Sequence, residues 1–257
     1  MQVHAKQSVR QSFNRAATSY AAAAVVQKEV CAQLLAGLDY RNLPKQARIL
    51  DAGCGTGFGA RLMQSHWPDA ALTLVDFAPA MLAQTLDTGQ HRCVADIEAL
   101  PFCDASFNLW WSSLSIQWCD TGRVFTEAHR VLQPNGLLAV STLGTDTFKE
   151  LRQAFSAVDN YQHTLTFTTP EEIYKVLFNL GFRDIHIQCK TFTLHYPDLK
   201  MLLRAVKDIG ANQVTVGGRS TLMGRSSWQT LEAAFEQIRT PQGLPMSYDV
   251  LLAYASK

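Results

Sequence analysis

The sequence has no long apolar run, no appreciable net charge and no leader pattern. No stretch of about 18 consecutive apolar residues occurs, so we expect no transmembrane helix. The polar N-terminus lacks the charged and then apolar layout of a signal peptide. Lys and Arg number 23 against 22 Asp and Glu, so only a local basic patch could bind an anionic partner, and we expect neither nucleic acid nor a membrane as ligand. These absences predict a cytoplasmic protein.

The sequence also lacks the residue spacings of metal sites and of covalent catalysis. Its seven histidines show no metal-ligand spacing, so we expect no metal. No Ser-His-Asp or Cys-His arrangement is recognisable. The cysteines include no Cys-x-x-Cys pair and mostly lie in apolar, strand-like runs, so we expect buried free thiols in a reducing compartment. They are Cys31, Cys54, Cys93, Cys103, Cys119 and Cys189.

What the sequence does have is a glycine-rich turn between a predicted strand and a predicted helix. The segment LDAGCGTG, residues 50–57, follows an apolar run and precedes apolar residues at helical spacing. Gly53, Gly55 and Gly57 lack a Cβ, as a sharp turn and a closely approaching ligand both require. About twenty residues later a second apolar run ends in Asp76, whose carboxylate could accept both hydroxyls of a ribose. Turn and acid together predict a nucleoside-binding α/β unit.

Asp51 distinguishes between two kinds of nucleoside ligand. The segment GTGFGA, residues 55–60, fits the dinucleotide fingerprint imperfectly, and Asp51 would then face a pyrophosphate of like charge. S-adenosylmethionine carries a sulfonium and an ammonium group and no phosphate, so a carboxylate beside the turn suits it. LDAGCGTG, followed by VD at residues 75–76, resembles the first two motifs of the class I S-adenosylmethionine-dependent methyltransferases. The resemblance implies S-adenosylmethionine as methyl donor and S-adenosylhomocysteine as product.

Strand and helix patterns alternate from residue 48 to about residue 142, which predicts a parallel sheet with helices on both faces. The predicted strands cover residues 48–50, 72–75, 91–95, 107–111 and 137–142. A helix over residues 121–132 is expected to end before a turn at 134–136. Two further strands are predicted at 182–189 and 248–254, and in the resembled family the last strand lies antiparallel between the fifth and sixth.

The expected fold is therefore α/β and doubly wound (Rossmann-like), with a seven-stranded, mostly parallel sheet, an antiparallel last strand and a helical lid. We expect one methyltransferase domain over residues 1–257. Within it, residues 1–40 would form an N-terminal helical cap, residues 41–195 and 246–257 the α/β core, and residues 196–245 an inserted lid that closes over the site.

Several phrases resemble a narrower family, the malonyl-carrier-protein O-methyltransferases of biotin synthesis. They are FNRAATSY near the N-terminus, DIEALPF, SSLSIQWC, LKMLLRAVKDIGAN and the closing PMSYDVLLAYASK. The resemblance covers nearly the whole chain. It implies that the methyl group goes to the free carboxylate of a malonyl thioester on acyl-carrier protein, which carries it on phosphopantetheine. The methyl ester then primes pimeloyl synthesis.

The resemblance also implies which residues bind the donor. Asp96 would accept from the adenine amino group and Ile97 would pack on the ring, while a Tyr or Gln of the N-terminal cap would touch the donor. The expected set is Tyr20, Gln27, Asp51, Gly53, Gly55, Gly57, Asp76, Phe77, Met81, Asp96, Ile97, Glu98 and Ser112.

The substrate carboxylate is already ionised at neutral pH, so the reaction needs no general base. Catalysis then depends on orientation and exclusion of water. A cation on the lid would select a charged carboxylate. The expected substrate residues are Lys207, Arg219 and Arg225 on the lid, with Tyr20, Gln117 and Trp118 shaping the pocket. The carrier protein in this family is acidic, and the candidates for a basic rim are Lys175, Arg183, Lys200 and Arg204.

Three other functions stay open on the sequence. A methyltransferase of another small acid or of a quinone precursor would share every donor motif, and a carrier-protein pull-down would separate it from the main hypothesis. A nicotinamide-dependent oxidoreductase is disfavoured by Asp51. A non-catalytic regulator would bind S-adenosylhomocysteine without methylating any acid.

Overall fold

The computed structural model describes residues 3–39, 43–85, 91–208 and 224–257. Their strands form one seven-stranded sheet in the order β3-β2-β1-β4-β5-β7-β6. Strands β1 to β5 pair in parallel, and β7 runs antiparallel between β5 and β6. This confirms the predicted fold class. The strands are β1 (Arg48–Ala52), β2 (Ala71–Asp76), β3 (His91–Val94), β4 (Phe107–Ser113), β5 (Leu132–Leu143), β6 (Arg183–Tyr196) and β7 (Leu244–Ser256).

Helices cover both faces of the sheet. One buried cluster, here called the α2 face, includes Val30, Met63, Leu151 and Leu202 from four helices packed against the sheet. The opposite cluster, the α5 face, includes Phe125. The helices are α1 (Val3–Ala23), α2 (Val25–Gly37), α3 (Phe58–His66), α4 (Pro79–Ala83), α5 (Thr121–Val131), α6 (Lys149–Ser156), α7 (Pro170–Asn179), α8 (Leu199–Asp208) and α9 (Arg225–Glu236).

Strand alternation sends neighbouring residues of β1 and β4 to opposite faces. Ile49 of β1 and Trp111 of β4 belong to the α2 face, whereas Leu50 and Trp110 belong to the α5 face. Asp51 follows Ile49 by two residues and is the register partner of Trp111 across the β1–β4 pair. The carboxylate and the indole therefore lie side by side.

Two strand boundaries differ from the expectation. Strand β4 continues two residues past Trp111, so that Ser112 lies in the strand and not in a loop. Strand β5 begins at Leu132 and runs through the turn residues 134–136. Asn135 has the positive φ of a turn residue, 61°, but its N–H donates to the carbonyl of Lys257 at 3.0 Å, so the end of the chain extends the sheet over the turn.

The last two strands are longer than predicted, because they pair with each other along almost their whole length. The pairing runs from Arg183 opposite Ser256 to Tyr196 opposite Leu244. Helix α8 follows β6 in the chain, and α9 precedes β7. Leu202 of α8 and Phe235 of α9 bury their side chains in the α2 face. Residues 209–223, between the two helices, lie outside the described part of the chain.

The cysteines are free thiols, but the expectation that they are buried is wrong for two of them. Cys31 and Cys54 are buried, and Cys93 and Cys119 are half-buried. Cys103 and Cys189 are exposed. Cys189 lies in β6, which is an edge strand with one face toward solvent, so its apolar neighbours in sequence do not imply burial.

Candidate active site

The glycine-rich turn folds back along the end of β2. The N–H groups of Gly53 and Cys54 both donate to the carbonyl of Val75, at 2.7 and 2.9 Å. Gly53 has φ 78°, and a Cβ there would clash with the hydroxyl of Ser115. Gly57 has φ 77° and begins α3 as its N-cap. The turn therefore depends on glycine for its dihedral angles and for the close approach of the loop after β4.

Asp76 ends β2 and is hydrogen-bonded by the backbone on both carboxylate oxygens. The N–H of Gly55 donates to Oδ2 at 2.9 Å and the N–H of Ala78 donates to Oδ1 at 2.8 Å. Burial raises the pKa of this carboxyl to about 6, against the opposing effect of the backbone donors. Each oxygen keeps a further lone pair, so Asp76 is held rigidly as an acceptor toward the cavity.

Asp51 ends β1 and is only 2% exposed. Its Oδ2 has no hydrogen-bond partner among the described residues. Burial, and after it the negative charge of Asp76, raises the pKa of the Asp51 carboxyl to about 7, although the backbone N–H of Ala60 opposes the shift. A buried carboxylate oxygen without a partner is costly. This one therefore fits a cationic ligand group such as the ammonium of S-adenosylmethionine.

A cavity of about 250 Å³ lies among the ends of β1, β2 and β4, the glycine-rich turn and the N-terminal helices. It is a concave site at the carboxyl ends of parallel strands, where doubly wound folds bind ligands. Many of the residues predicted from the sequence line it. They are Gln27, Asp51, Gly53, Gly55, Asp76, Phe77, Met81, Asp96, Ile97 and Trp118.

Four predicted residues of the core do not line the cavity, and neither does Arg225 of the predicted lid. Gly57 lies behind the turn, where a Cβ would meet the side chain of Thr85. Ser112 is fully buried, and its hydroxyl donates to the carbonyl of Ala52 at 2.7 Å, tying β4 to β1.

The other two are Glu98 and Gln117, which stabilise the loops around the site. Glu98 accepts from the N–H of Asp120 at 2.8 Å and pairs with Lys6 at 2.6 Å. Gln117 donates from its amide to the carbonyl of Leu114 at 2.7 Å.

The predicted lid cations are only partly described. Arg225 is exposed at the first residue of α9 and does not line the cavity. Arg219 lies outside the described residues, as do the side chains of Lys207 and Tyr20.

The end of the cavity where Asp96 lies holds an ion pair that the sequence did not indicate. Lys6 of α1 contacts Asp96 at 2.5 Å, and its ammonium also reaches Glu98. The other oxygen of Asp96 accepts from the N–H of Glu98 at 3.0 Å. Lys6 stands 90 positions from Asp96 in the chain, so no local pattern could have joined them.

An aromatic group forms the wall next to α1. The ring of Phe13 lies edge-on to Trp118, with centroids 5.7 Å apart, and to Phe77 at 6.3 Å. Helix α1 is also tied to α4, since the side chain of Asn14 accepts from the N–H of Ala80 at 3.0 Å. The N-terminal helix thus contributes an apolar wall to the cavity.

Other lining residues were also missed by the sequence analysis. Lys28 lies beside the predicted Gln27 on α2, and Arg61 donates to the carbonyl of Thr56 at 3.0 Å. Trp111 lines the cavity from β4. The sequence does indicate that Trp110 and Trp111 point to opposite faces of a strand. It does not indicate which of them lies at the cavity, because that depends on the pairing of β4 with β1.

Metal sites and membrane-spanning helices can be assessed only for the described part of the chain. Within it, no group of three or more His, Cys, Asp or Glu side chains is arranged to hold a metal ion. None of its helices combines the length and the apolar character that a membrane span requires.

Comparison with known proteins places this geometry in a family. A family model described as a methyltransferase domain matches residues 50–140. The malonyl-[acyl-carrier protein] O-methyltransferase of Dechloromonas aromatica is 48% identical, over 98% of this chain and 95% of its own. The protein of the same name from Laribacter hongkongensis is 41% identical, over 97% and 89% of the two chains.

Among solved structures, the phosphoethanolamine N-methyltransferase 2 of Haemonchus contortus, in complex with S-adenosylhomocysteine, has a similar fold. The TM-score is 0.56 at 22% identity, and the match covers 88% of this chain and 52% of that one.

Proposed function

The chain belongs to the malonyl-[acyl-carrier protein] O-methyltransferase family, and from this membership we propose that it methylates the free carboxylate of a malonyl group carried by acyl-carrier protein. It is an S-adenosylmethionine-dependent methyltransferase. The structural observation that supports binding of the donor is the pair of buried carboxylates, Asp51 and Asp76, that line one cavity at the ends of adjacent strands.

When bound, the donor supplies an electrophilic methyl group on a sulfonium: the carboxylate oxygen bonds to the methyl carbon as the carbon–sulfur bond breaks, and its electrons stay on the sulfur. An anion and a cation give two neutral products and no proton is released. The protein therefore needs no general base, and its contribution is orientation, which can supply roughly 7 to 11 kcal/mol.

The described residues have distinct tasks in this scheme. Asp76, held by two backbone N–H groups, would accept from the ribose hydroxyls, and Asp51 would accept from the ammonium. Phe13 and Trp118 would exclude water from the reacting carboxylate, which strengthens its attraction to the sulfonium. The substrate cation stays a prediction. Lys207 belongs to α8 but its side chain lies outside the described part of the structure, as does all of Arg219, whereas Arg225 is exposed and does not line the cavity.

We also propose that the carrier protein docks on the exposed side of α8. Leu199, Leu202 and Val206 are buried, whereas Lys200 and Arg204, one helical turn apart, are exposed. Such a basic stripe suits an acidic partner.

The other two rim candidates are far from this stripe. Lys175 is exposed on α7, whose Ile173 belongs to the α5 face, on the opposite side of the sheet from α8. Arg183 is tied to the carbonyl of Lys257 at 2.7 Å. Lys175 is therefore a control for a non-specific effect of charge.

The test of the reaction is incubation with labelled S-adenosylmethionine and malonyl-carrier protein, followed by mass measurement of the pantetheine-linked product. The proposal predicts the mass of one added methylene and an ester stable to mild acid. Absence of transfer to the malonyl group would contradict it.

The test of docking compares the carrier protein with a malonyl thioester of a small thiol. Lys200→Glu and Arg204→Glu should lower kcat/KM for the carrier-protein substrate about tenfold and leave the small thioester nearly unchanged. Lys175→Glu should affect neither. Equal loss on both substrates would remove the docking proposal and leave the reaction untouched.

A further inference from the structure

Two neighbouring side chains in the cavity wall each bury a polar atom without a partner. Oδ2 of Asp51 and Nε1 of Trp111 have no hydrogen bond to any described residue. Asp51 is 2% exposed and Trp111 is 0% exposed, and both line the cavity. One atom can only accept and the other can only donate, if the carboxyl is ionised.

The two atoms converge on one place beside α3. A Cβ built on Gly59 would lie 3.2 Å from Nε1 of Trp111 and 3.3 Å from Oδ2 of Asp51. Despite this proximity the indole does not donate to the carboxylate. Leaving a buried polar atom unpaired costs about 1 to 3 kcal/mol, so two of them at one place indicate a ligand that completes both.

The surroundings match a ligand with both signs of charge. Cys31 of α2 reaches the same place, its sulfur 3.4 Å from the Cβ position of Gly59. Lys28, three residues earlier on that helix and hence on the same side, also lines the cavity. A carboxylate acceptor and a lysine thus line the same cavity as the indole of Trp111.

An α-amino acid has the matching chemistry, because its ammonium and its carboxylate are attached to the same carbon. We propose that the indole N–H of Trp111 donates to the α-carboxylate of the methyl donor while Asp51 accepts from the adjacent ammonium, so that Trp111 makes the site specific for the intact amino-acid group. The inference rests on the identity of the donor and not on the identity of the acceptor.

Trp110 provides a matched control within the same strand. Its Nε1 is also buried without a partner among the described residues, but it lies on the α5 face and does not line the cavity. Replacing either tryptophan by phenylalanine removes one indole N–H and some volume, so general effects on packing should be similar.

The test is calorimetric titration of three ligands into the wild type, Trp111→Phe and Trp110→Phe. The ligands are S-adenosylhomocysteine, its decarboxylated analogue, which keeps the ammonium, and 5′-methylthioadenosine, which lacks the amino-acid group. Trp111→Phe should weaken S-adenosylhomocysteine about tenfold or more, as expected for a hydrogen bond to a charged group. It should change the dissociation constants of the other two ligands less than about twofold. Trp110→Phe should not change the dissociation constant of any one ligand more than those of the others.

Two results would overturn the proposal. In one, Trp111→Phe binds S-adenosylhomocysteine as the wild type does. In the other, it weakens all three ligands equally, which would mean that Trp111 only supports the fold.

A second measurement needs no folded Trp111 variant. In the wild type labelled with ¹⁵N at the indole nitrogens, one indole N–H resonance should move downfield on addition of S-adenosylhomocysteine and stay in place with the decarboxylated analogue. Equal movement with both ligands, or none with either, would contradict the role of Trp111.

The acceptor assay separates this inference from the proposed function. If the binding pattern holds but no malonyl ester forms, the proposed function fails and the role of Trp111 stands. If the ester forms but the pattern fails, the reverse is true.

Discussion

At the proposed amino-acid end of the cavity, Asp51 and Trp111 each bury a polar atom that has no hydrogen-bond partner among the described residues, whereas at the proposed adenine end Asp96 already pairs with Lys6. The first arrangement carries its desolvation cost within the folded protein, so a ligand that completes it gains the full interaction. In the second, the side chain of Asp96 is 38% exposed, and a ligand exchanges one partner for another. We therefore expect most of the discrimination between ligands to come from the amino-acid end.

Asp51→Asn should give the largest effect. The neutral amide cannot compensate a buried ammonium, so the affinity for S-adenosylhomocysteine should fall about a hundredfold or more, while 5′-methylthioadenosine changes little. Calorimetric titration of both ligands measures this. Equal losses for the two ligands would show that Asp51 does not distinguish the ends of the cavity.

The same substitution should stabilise the ligand-free protein in mild alkali. Burial raises the pKa of Asp51 from 3.8 to about 7. Above pH 7 the carboxyl is ionised in both the folded and the unfolded state. The folded state then bears the whole free-energy cost of burying the charge, at most about 4 kcal/mol. As the pH falls from 7 toward 4, the folded state takes up a proton and this cost disappears.

Denaturant unfolding should show this difference in stability directly. We expect Asp51→Asn to gain about 2 kcal/mol at pH 8, half of that limit, and almost nothing near pH 4. A loss of stability at pH 8 would mean that the carboxylate is already compensated in the free protein.

The affinity of the wild type should depend on pH below neutrality. Asp51 must be ionised to accept from an ammonium, and its pKa of about 7 in the free protein means that protonation competes with the ligand. Between pH 7 and pH 6 the ionised fraction, and with it the affinity for S-adenosylhomocysteine, should fall about fivefold. Asp51→Asn serves as the control. If the affinity of this variant still falls between pH 7 and pH 6, the titrating group is not Asp51.

Lys6→Met should give the smallest effect, at the adenine end. The pair with Asp96 is partly exposed, and such a pair contributes about 0 to 1 kcal/mol, while the pair with the buried Glu98 lies outside the cavity lining. We expect the dissociation constants of S-adenosylhomocysteine and 5′-methylthioadenosine to change together, by less than about fivefold. A larger change in either would show that Lys6 fixes the adenine acceptor, and the contrast between the two ends would no longer hold.

That the glycine-rich turn and Asp76 lie at one cavity could be predicted from the sequence, because their signals are local. Gly53, Gly55 and Asp51 lie within one turn, and Asp76 ends the next strand, so spacing along the chain sufficed. Trp111 could not be assigned, since its role depends on which strand β4 pairs with.

The remaining gaps have the same cause. Lys6 and Phe13 reach the cavity from a helix that precedes the sheet, through contacts between distant segments. The strand pattern also underestimated β6, because on an edge strand each residue that faces solvent interrupts the apolar run. The substrate cations expected on the lid stay a prediction, because Arg219 and the side chain of Lys207 lie outside the described residues.

A crystal structure of the complex with S-adenosylhomocysteine would show where the protein holds the amino-acid group. We expect the ligand's ammonium nitrogen within about 3 Å of Oδ2 of Asp51. The ligand carboxylate should face Nε1 of Trp111. An ammonium bound elsewhere, with Asp51 still unpaired, would contradict the central claim.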